Sequence, residues 1–323
     1  MQAVRTLGLL LIDGFALMSY ASVIEPFRAA NALAGAALYR WVSISVDGGA
    51  VSASSGANIN AEHCVGDALA CDTMFVFAAG DPSAFQDERV FRWLRQLGAQ
   101  QVALAGVSGG PYLLARAGLL DGHRATIHWE HAAAFREAFP ALEIETGLYV
   151  IDRRRMTCAG GTAGLDLAIE LIERDYGHAL ASRVGEWFIR TAPRSAGSSQ
   201  RPSLRERYGI GSDPVLRTLA IMEANVEVPR PRRDLAAAAG LSVRHLERLF
   251  MTHLGRSVSA AYMAIRLDQA LHLLRSTGLT VTEIGVASGF QSSSHFSRIF
   301  KARFGHPPRR ARATGRRGGD ASP

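Results

Sequence analysis

Cysteine is scarce in this chain of 323 residues, where only three occur. Cys64, Cys71 and Cys158 form neither a CxxC pair nor a cluster with metal-ligand spacing. A disulfide-rich scaffold and a zinc module are therefore excluded, and neither a metal nor another cofactor is expected. We expect free thiols in the reducing environment of a cytoplasm.

Long apolar runs are also missing. The apolar run at residues 7–12 is too short to span a membrane, and no signal-peptide pattern surrounds it. Hydrophobic residues make up 48% of the chain and charged residues 20%, as is usual for soluble globular proteins. The length predicts two domains with ample room for buried cores.

Lysine occurs once, at Lys301, so arginine supplies nearly all of the positive charge. The formal net charge is +7, and it is unevenly distributed along the chain. Residues 214–323 contain 17 arginine and lysine residues against 7 aspartate and glutamate residues, whereas residues 1–213 contain 19 against 22. The basic C-terminal end therefore favours a domain that contacts nucleic-acid phosphates.

This basic end contains one sequence pattern twice, at residues 245–255 and 295–305. Each copy places an arginine between core-type residues at helical spacing and ends in a glycine. Each copy also follows a small-residue segment with a glycine turn, which is the plan of a helix-turn-helix. Ser242, and either Ser292 or Ser293, are placed to cap the second helices.

The exposed faces of these second helices carry the candidate DNA contacts. Burial of Leu246 and Phe250 in one copy, and of Phe296 and Phe300 in the other, leaves polar residues one turn apart on the open face. The alternative is that these residues only solvate a helix face, but two matched copies in a basic domain favour DNA binding. The expected DNA-binding residues are Ser242, Arg244, His245, Arg248, Ser292, Ser294, Arg298 and Lys301.

Residues 214–310 resemble the DNA-binding domain of AraC/XylS-type transcription regulators. The matching segments are residues 235–242, 266–275, 281–290 and 297–308. The resemblance implies that both recognition helices enter successive major-groove faces of one double-stranded promoter site.

The segment that joins the two copies is predicted to be a stiff helix. Leu267, Ala270, Leu271 and Leu274 recur at i, i+3, i+4 and i+7, which is the spacing of one helix face. A stiff helix there fixes the separation of the recognition helices, and successive turns of a duplex lie about 34 Å apart.

Short apolar strands alternate with helices in the first part of the chain. Strands are predicted at residues 7–12, 40–46, 73–79 and 101–107, and helices at 19–33, 85–97, 165–176 and 180–190. This alternation predicts a doubly wound, flavodoxin-like α/β domain followed by an all-α domain. Ligands bind doubly wound sheets at the carboxyl ends of the strands.

One such strand end has the pattern of a nucleophile elbow. Ser108 lies between a predicted strand and a helix, flanked by Gly106 and by Gly109 and Gly110. Small neighbours allow a sharp turn that lifts one side chain above a sheet. An ordinary glycine-rich turn is an equal alternative on the motif alone.

Residues 5–190 resemble the PfpI branch of the class I glutamine-amidotransferase-like fold, through the elbow and through residues 13–15, 25–28, 115–129 and 159–166. The whole chain resembles the GlxA-like subgroup of AraC regulators, in which this domain is a sensor. Catalytic relatives carry cysteine at the elbow, an acidic residue from the first helix and a histidine. The matching positions here are Ser108, Glu25 and His128, and a serine without an aligned base is a poor nucleophile. We therefore expect no enzyme activity.

The resemblance implies that this inactive site binds a small amine or amino-acid-type metabolite of the arginine, carnitine or betaine class. The elbow serine and the backbone N–H groups after it are expected to hold a carboxylate, and the acidic residue to pair with a cationic nitrogen. An aromatic residue is expected to face that nitrogen, although core packing is the favoured alternative for Trp129 alone. The expected ligand-binding residues are Glu25, Ser108, Gly109, Gly110, His128 and Trp129.

These features predict four regions: a sensor at residues 1–190, a flexible basic linker at 191–213, a DNA-binding domain at 214–310 and a disordered tail at 311–323. The predicted function is a transcription activator that binds promoter DNA and RNA polymerase and dimerises through its sensor. Two alternatives stay open. One is a PfpI-type hydrolase with a DNA-binding domain, and the other is a ligand-independent DNA-binding dimer.

Overall fold

The computed structural model describes residues 3–316, and a boundary between Gln200 and Arg201 divides them into two compact units. The strands of the first unit are β1 (Arg5–Leu11), β2 (Tyr39–Ser45), β3 (Gly49–Ser52), β4 (Asn58–Ala61), β5 (His63–Cys64), β6 (Thr73–Ala78), β7 (Ala103–Ser108), β8 (Arg124–Ala125), β9 (Glu143–Ile144), β10 (Tyr149–Asp152) and β11 (Arg155–Cys158). Its helices are α1 (Leu17–Ala34), α2 (Glu88–Ala99), α3 (Gly110–Arg116), α4 (Ala132–Ala138), α5 (Ala163–Tyr176) and α6 (His178–Trp187).

Within the described residues, a seven-stranded sheet in the order β10-β11-β7-β6-β1-β2-β5 forms the centre of this unit. All neighbouring strands in it are parallel except the antiparallel pair at the β10 edge. The four strands predicted from the sequence correspond to β1, β2, β6 and β7, with ends shifted by one or two residues. The short strands were not predicted because their apolar runs are too brief to show a period.

Both faces of the sheet are buried, which explains the continuous apolar runs of its strands. Leu9 and Leu11 of β1 pack into the layer that contains α1, α5 and α6. Leu10, one residue along, packs into the opposite layer with α2, α3 and α4. The alternation of side chains along a strand therefore places two hydrophobic cores on the two faces of one sheet.

The turn between β7 and α3 lies unusually close to the neighbouring strand. A Cβ atom on Gly110 would lie 2.0 Å from the carbonyl oxygen of Val76, and one on Gly106 would lie 2.5 Å from the nitrogen of Pro111. Because backbone atoms make these contacts, no side-chain rotation can relieve them. Glycine at these positions is therefore a packing requirement of the turn.

The second unit is helical throughout its described secondary structure. Its helices are α7 (Leu204–Tyr208), α8 (Asp213–Ala224), α9 (Arg232–Ala238), α10 (Val243–Leu254), α11 (Val258–Ser276), α12 (Val281–Ala287), α13 (Ser293–Phe304) and α14 (Pro308–Arg316). The pairs α9–α10 and α12–α13 are the two predicted helix-turn-helix motifs. Gly240 and Gly289 in their turns have φ values of 69° and 78°, as a left-handed turn requires.

Helix α11 connects two separate hydrophobic cores. Its N-terminal half contributes Val258 and Tyr262 to the core around α8–α10. Its C-terminal half contributes Leu267 and Leu274 to the core around α12–α14, as the predicted apolar stripe requires. A helix of 19 residues is about 28 Å long, so α11 is a rigid spacer between the motifs.

The predicted flexible linker at residues 191–213 is wrong. Ala196 accepts a hydrogen bond from the Leu148 N–H at 2.7 Å, so the first part of this segment packs on the first unit. In the second part, Ser203 and Glu206 form a capping box that starts α7, and Ile210 is buried in the second unit. Glycine and proline content suggested a linker, but these tertiary contacts supply partners that composition does not reveal.

The disordered tail was predicted to begin at residue 311, which is too early. Helix α14 extends to Arg316, and Ala311 is completely buried in the core around α12–α14. The apolar face of this helix is narrow, and the many arginines around it obscured the signal. The remaining residues, 317–323, lie outside the described residues. No helix within residues 3–316 is both long and apolar enough to cross a membrane.

We predict that Gly110→Ala lowers the free energy of unfolding of the first unit by at least about 1–3 kcal/mol, because the new methyl group collides with the Val76 carbonyl. Gly197→Ala is the matched control, since a Cβ atom there would meet nothing within 4 Å. It should change that free energy by less than about 1 kcal/mol. Urea unfolding followed by circular dichroism measures both, and equal effects would contradict the packing requirement.

Candidate functional site

Ser108 ends β7 with the backbone conformation of a nucleophile elbow. Its φ is 61°, a left-handed value that costs a residue other than glycine on the order of 1 kcal/mol. The residue is only 7% exposed. Of the two alternatives for this motif, the strained elbow is the one that the structure contains.

The turn that leads into α5 closes over the elbow. A Cβ atom on Gly160 would lie 2.6 Å from the Ser108 Cβ and 2.8 Å from the Ser19 Oγ. The Gly161 N–H donates a hydrogen bond to the Ser19 Oγ at 2.8 Å. The start of α1, the elbow and the start of α5 therefore meet at one point.

Glu25 does not occupy the place that the sequence analysis gave it. The residue of α1 at the elbow is the buried Ser19, and Glu25 lies six residues later, about 9 Å along the helix axis. The Glu25 carboxylate accepts a hydrogen bond from the Arg28 Nε at 2.7 Å on a partly exposed surface. The α1 residue beside the elbow is therefore a serine, where a carboxylate was predicted.

Gly109 and Gly110 are unsuited to the predicted role of carboxylate binding. The Gly109 N–H already donates a hydrogen bond to the Ala78 carbonyl at 2.8 Å. Both residues are buried, and Gly110 lies against the Val76 carbonyl. The close packing that forms the elbow thus closes the start of α3 to a ligand.

His128 and Trp129 lie beside the elbow. The His128 N–H donates a hydrogen bond to the Ser108 carbonyl at 3.5 Å, and the imidazole Nδ1 accepts one from the Glu130 N–H at 3.3 Å. The centroids of the two aromatic rings are 5.6 Å apart. Trp129 is 38% exposed, so it is a surface of the site and not a core residue.

A cavity of about 160 Å³ opens next to this cluster. It combines an aromatic wall with the N-terminal turn of α5 and with two polar side chains from the segment after α6. Its lining residues are His128, Trp129, Leu148, Ala159, Gly160, Gly161, Thr162, Ala163, Arg194 and Gln200. This cavity is the candidate effector pocket.

Residues 190–200, which we call the strap, are held on the first unit by a buried carboxylate. Asp166 of α5 has a side chain that is 1% exposed. Its Oδ1 accepts hydrogen bonds from the Arg190 Nε and Nη2 at 3.0 and 2.6 Å, and its Oδ2 accepts one from the Arg194 Nη2 at 2.5 Å. A buried charge needs such partners, so the Asp166 pairs determine the path of the strap.

Gln200 fixes the end of the strap beside the same cavity. Its Nε2 donates to the Ile127 and Gly147 carbonyls at 3.0 and 2.8 Å, and to the Thr126 Oγ1 at 3.2 Å. These acceptors identify Nε2 as the inward-facing end of the amide. The Oε1 atom is buried and has no hydrogen-bond partner within the described part of the chain.

The thiol closest in sequence to this turn, that of Cys158, does not replace the missing elbow nucleophile. Cys158 is completely buried at the end of β11, and its Sγ accepts a hydrogen bond from the Gly160 N–H at 3.4 Å. Burial raises the pKa of the thiol to about 12. The sulfur therefore stays protonated near neutral pH and is a poor nucleophile.

In the second unit, both predicted recognition helices begin at the predicted caps. The Ser242 Oγ accepts a hydrogen bond from the His245 N–H at 3.3 Å. The Ser292 Oγ accepts one from the His295 N–H at 3.3 Å, which selects Ser292 over Ser293 as the second cap. The two recognition helices thus begin with the same capping hydrogen bond.

The predicted DNA-facing residues lie on exposed faces of α10 and α13. Phe250 and Phe300 are fully buried, whereas Arg244 and Arg248 are exposed on the opposite side of α10. Neither arginine forms an ion pair or hydrogen bond among the described contacts. In the second motif Ser294, Arg298 and Lys301 are exposed, and Arg298 contacts the ring of the neighbouring His295 at 3.3 Å. His245 is half-buried.

Arg266 of α11 positions the second motif and was missed in the sequence analysis. Its Nε and Nη2 donate to the Ser288 and Gly289 carbonyls at 2.9 and 2.7 Å, at the turn between α12 and α13. Its guanidinium lies 4.3 Å from the centroid of the Phe290 ring. The joining helix therefore fixes the recognition helix at the turn itself.

Three residues were not predicted from the sequence: Ser19 beside the elbow, and Arg194 and Gln200 in the pocket. The bonds that place the last two join residues 28 to 74 positions apart, so no local pattern signals them. The only hint for Ser19 is its position at the start of the first helix, close after β1.

We predict that Asp166→Asn lowers the free energy of unfolding of the first unit by about 3–5 kcal/mol, because Arg190 and Arg194 then lose the buried negative charge that pairs with both of them. Glu170→Gln is the control, since Glu170 and Arg174 form an exposed i,i+4 pair on the same helix. That change should cost only about 0.3–0.5 kcal/mol. Thermal unfolding compares the two variants, and similar small losses would show that the Asp166 pairs contribute no more than a surface pair.

Comparison with known proteins identifies both units. The model of the DJ-1/PfpI family matches residues 7–174, and the model of a helix-turn-helix domain matches residues 235–314. The HTH-type transcriptional regulator GlxA of Rhizobium meliloti is 41% identical over 306 residues, covering 94% of each chain. The regulator CdhR of Pseudomonas aeruginosa is 40% identical over 304 residues, covering 94% of this chain and 90% of its own.

A solved AraC family transcriptional regulator from Pseudomonas putida is 26% identical to this chain with a TM-score of 0.51. It covers 57% of this chain and 99% of its own length. The expected PfpI-type fold and the AraC-type helix-turn-helix domain are thereby confirmed. The chain belongs to the AraC-type regulators that carry a DJ-1/PfpI domain, and it is a DNA-binding transcriptional regulator of the GlxA, CdhR and GbdR type.

Proposed function

We propose that this protein is a cytoplasmic transcription activator controlled by a small amine or amino-acid-type effector of the arginine, carnitine or betaine class. The effector binds in the pocket beside Ser108 and alters how the helix-turn-helix unit engages promoter DNA. One observation carries the proposal. An elbow without a thiolate lies beside a small cavity with aromatic and cationic walls, in the same chain as two matched helix-turn-helix motifs.

The chemistry of the pocket supports this effector class. Trp129 offers a partly exposed aromatic face, which attracts a cationic nitrogen. Arg194 and the N-terminal turn of α5 supply positive potential, which attracts a carboxylate. His128 completes the wall, and Ser108 supports it through its contact with Gly160. A zwitterion with separate cationic and anionic ends fits this division of charge.

We assign promoter contacts to the exposed faces of α10 and α13. Arg244, Arg248 and Arg298 carry planar guanidinium groups, which suit guanine edges and phosphates. Ser294 and His245 are assigned to the same faces. Ser242, Ser292 and Lys301, at the ends of these faces, are assigned to backbone phosphates.

The regulator is proposed to act as a homodimer through its first unit and to contact RNA polymerase. Met18, Trp187 and Ile189 are 61%, 50% and 85% exposed, so the first unit presents large apolar side chains to solvent. Trp187 ends α6, and Ile189 follows it two residues later.

We predict that Arg248→Ala and Arg298→Ala each weaken binding to a specific promoter site by about 1–3 kcal/mol and relax base preference at the contacted position. Fluorescence anisotropy measures both effects, with a DNA site selected for tight binding to the parent protein and with single-base variants of that site.

Arg217→Ala is the matched control, because Arg217 is exposed on α8, outside both recognition helices. It should leave base preference unchanged. If both recognition-helix variants bound as tightly and as selectively as the parent, the assigned DNA-facing surfaces would be wrong.

The competing function is hydrolysis at the elbow. Ser19 lies where the catalytic relatives carry an acidic residue that assists the nucleophile. We therefore predict that the parent protein does not raise the hydrolysis rate of a panel of ester, amide and peptide substrates above the rate in buffer alone. The control is Ser108→Ala. Turnover by the parent that disappears in this variant would favour the enzyme.

A further inference from the structure

The strap supplies one wall of the effector pocket, and its two pocket side chains have unused binding capacity. All described hydrogen bonds of Arg194 use Nη2, which donates to the Thr162 carbonyl, the Thr162 Oγ1 and Asp166. The N–H groups on Nε and Nη1 remain, and the side chain is 41% exposed where it lines the cavity. Arg194 is thus anchored at one nitrogen and open at the others.

The electrostatics of the strap attract an anion. Asp166 carries one negative charge, and the two arginines that pair with it carry two positive charges, so the cluster has one positive charge in excess. The positive end of α5, a helix of 14 residues, begins at the same wall. A carboxylate that enters the cavity therefore finds a guanidinium that is held in place at Nη2 and has N–H donors available at Nε and Nη1.

Gln200, unlike Arg194, has an unpaired acceptor and therefore requires a hydrogen-bond donor. Its Oε1 is a buried acceptor without a partner in the described part of the chain, while its Nε2 is held by two carbonyls and a hydroxyl. A buried acceptor left unpaired costs about 1–3 kcal/mol. An N–H or O–H group of a ligand that reached this atom would satisfy it.

We propose, building on the proposed sensor function, that the effector carboxylate binds Arg194 and that an N–H or O–H donor of the same molecule binds the Gln200 Oε1. Among the three candidate ligand types this selects amino acids such as arginine, or hydroxylated betaines such as carnitine, over glycine betaine, which has no such donor. Both contacts lie on the strap, so a bound effector clamps residues 190–200 onto the first unit. Gln200 is the last residue of that unit, so the clamp holds the chain at the point where the DNA-binding unit begins.

Titration calorimetry on the full chain tests the assignment with four probes: L-arginine, L-carnitine, glycine betaine and agmatine, which is arginine without its carboxylate. The parent should bind arginine or carnitine at least about 10-fold more tightly than agmatine or glycine betaine, the size of one hydrogen bond or charge contact. Arg194→Ala should weaken binding of the carboxylate ligand at least about 30-fold. Arg194→Lys should recover part of that loss, because it retains the charge without the planar fork.

Two controls separate ligand contact from support of the fold. Arg190→Ala removes the other arginine of the Asp166 cluster but no proposed ligand contact, so it should lower the melting temperature and weaken binding of the carboxylate ligand less than Arg194→Ala does. Arg92→Ala, at an exposed position of α2, should change neither quantity. Gln200→Leu should reduce arginine or carnitine binding to the level of glycine betaine.

The outcomes distinguish this inference from the proposed function. If the parent binds a carboxylate probe and Arg194→Ala binds it equally well, or if Arg190→Ala loses as much affinity, the strap contacts are wrong and the sensor function stands. Glycine betaine or agmatine binding as tightly as arginine and carnitine would likewise overturn the Gln200 or the Arg194 contact. If the parent binds none of the four probes, both the inference and the proposed effector class fail.

Discussion

The buried carboxylate of Asp166 is the interaction on which the first unit's functional surface depends. A side chain with 1% exposure cannot keep its charge without close partners, and Arg190 and Arg194 provide them. Because both arginines follow α6, neutralising Asp166 draws the chain back across the start of α5. The cavity beside Ser108 gains its cationic wall from this return, and Gln200 is delivered to its rim.

The elbow shows how a catalytic architecture persists without the catalytic group. The strained φ of Ser108 and the glycines packed around it reproduce the turn that lifts a nucleophile above the sheet. Ser19, however, is the α1 residue beside the elbow, and Glu25 is engaged with Arg28. What remains of such a site is a shaped opening with polar walls, which suits recognition better than bond cleavage.

The DNA-binding unit depends on α11 in a comparable way. Each half of this helix belongs to a different hydrophobic core, so the distance between the recognition helices is set by the backbone of one helix. Arg266 extends this control to the turn of the second motif through two carbonyl groups. The exposed arginines of α10 and α13 can therefore have different neighbours, while the separation between the two motifs stays fixed.

Local sequence patterns predicted the class of each unit, the central strands, both helix-turn-helix motifs with their serine caps, and the position of the elbow. Those features follow from local physics, since apolar period, glycine turns and capping act within a few residues. The tertiary structure alone places Ser19 beside the elbow, pairs Gly109 with Ala78, and makes residues 190–200 a wall of the pocket. These outcomes depend on helix phase and on buried charges that meet partners far away in the chain, and neither leaves a mark in local composition.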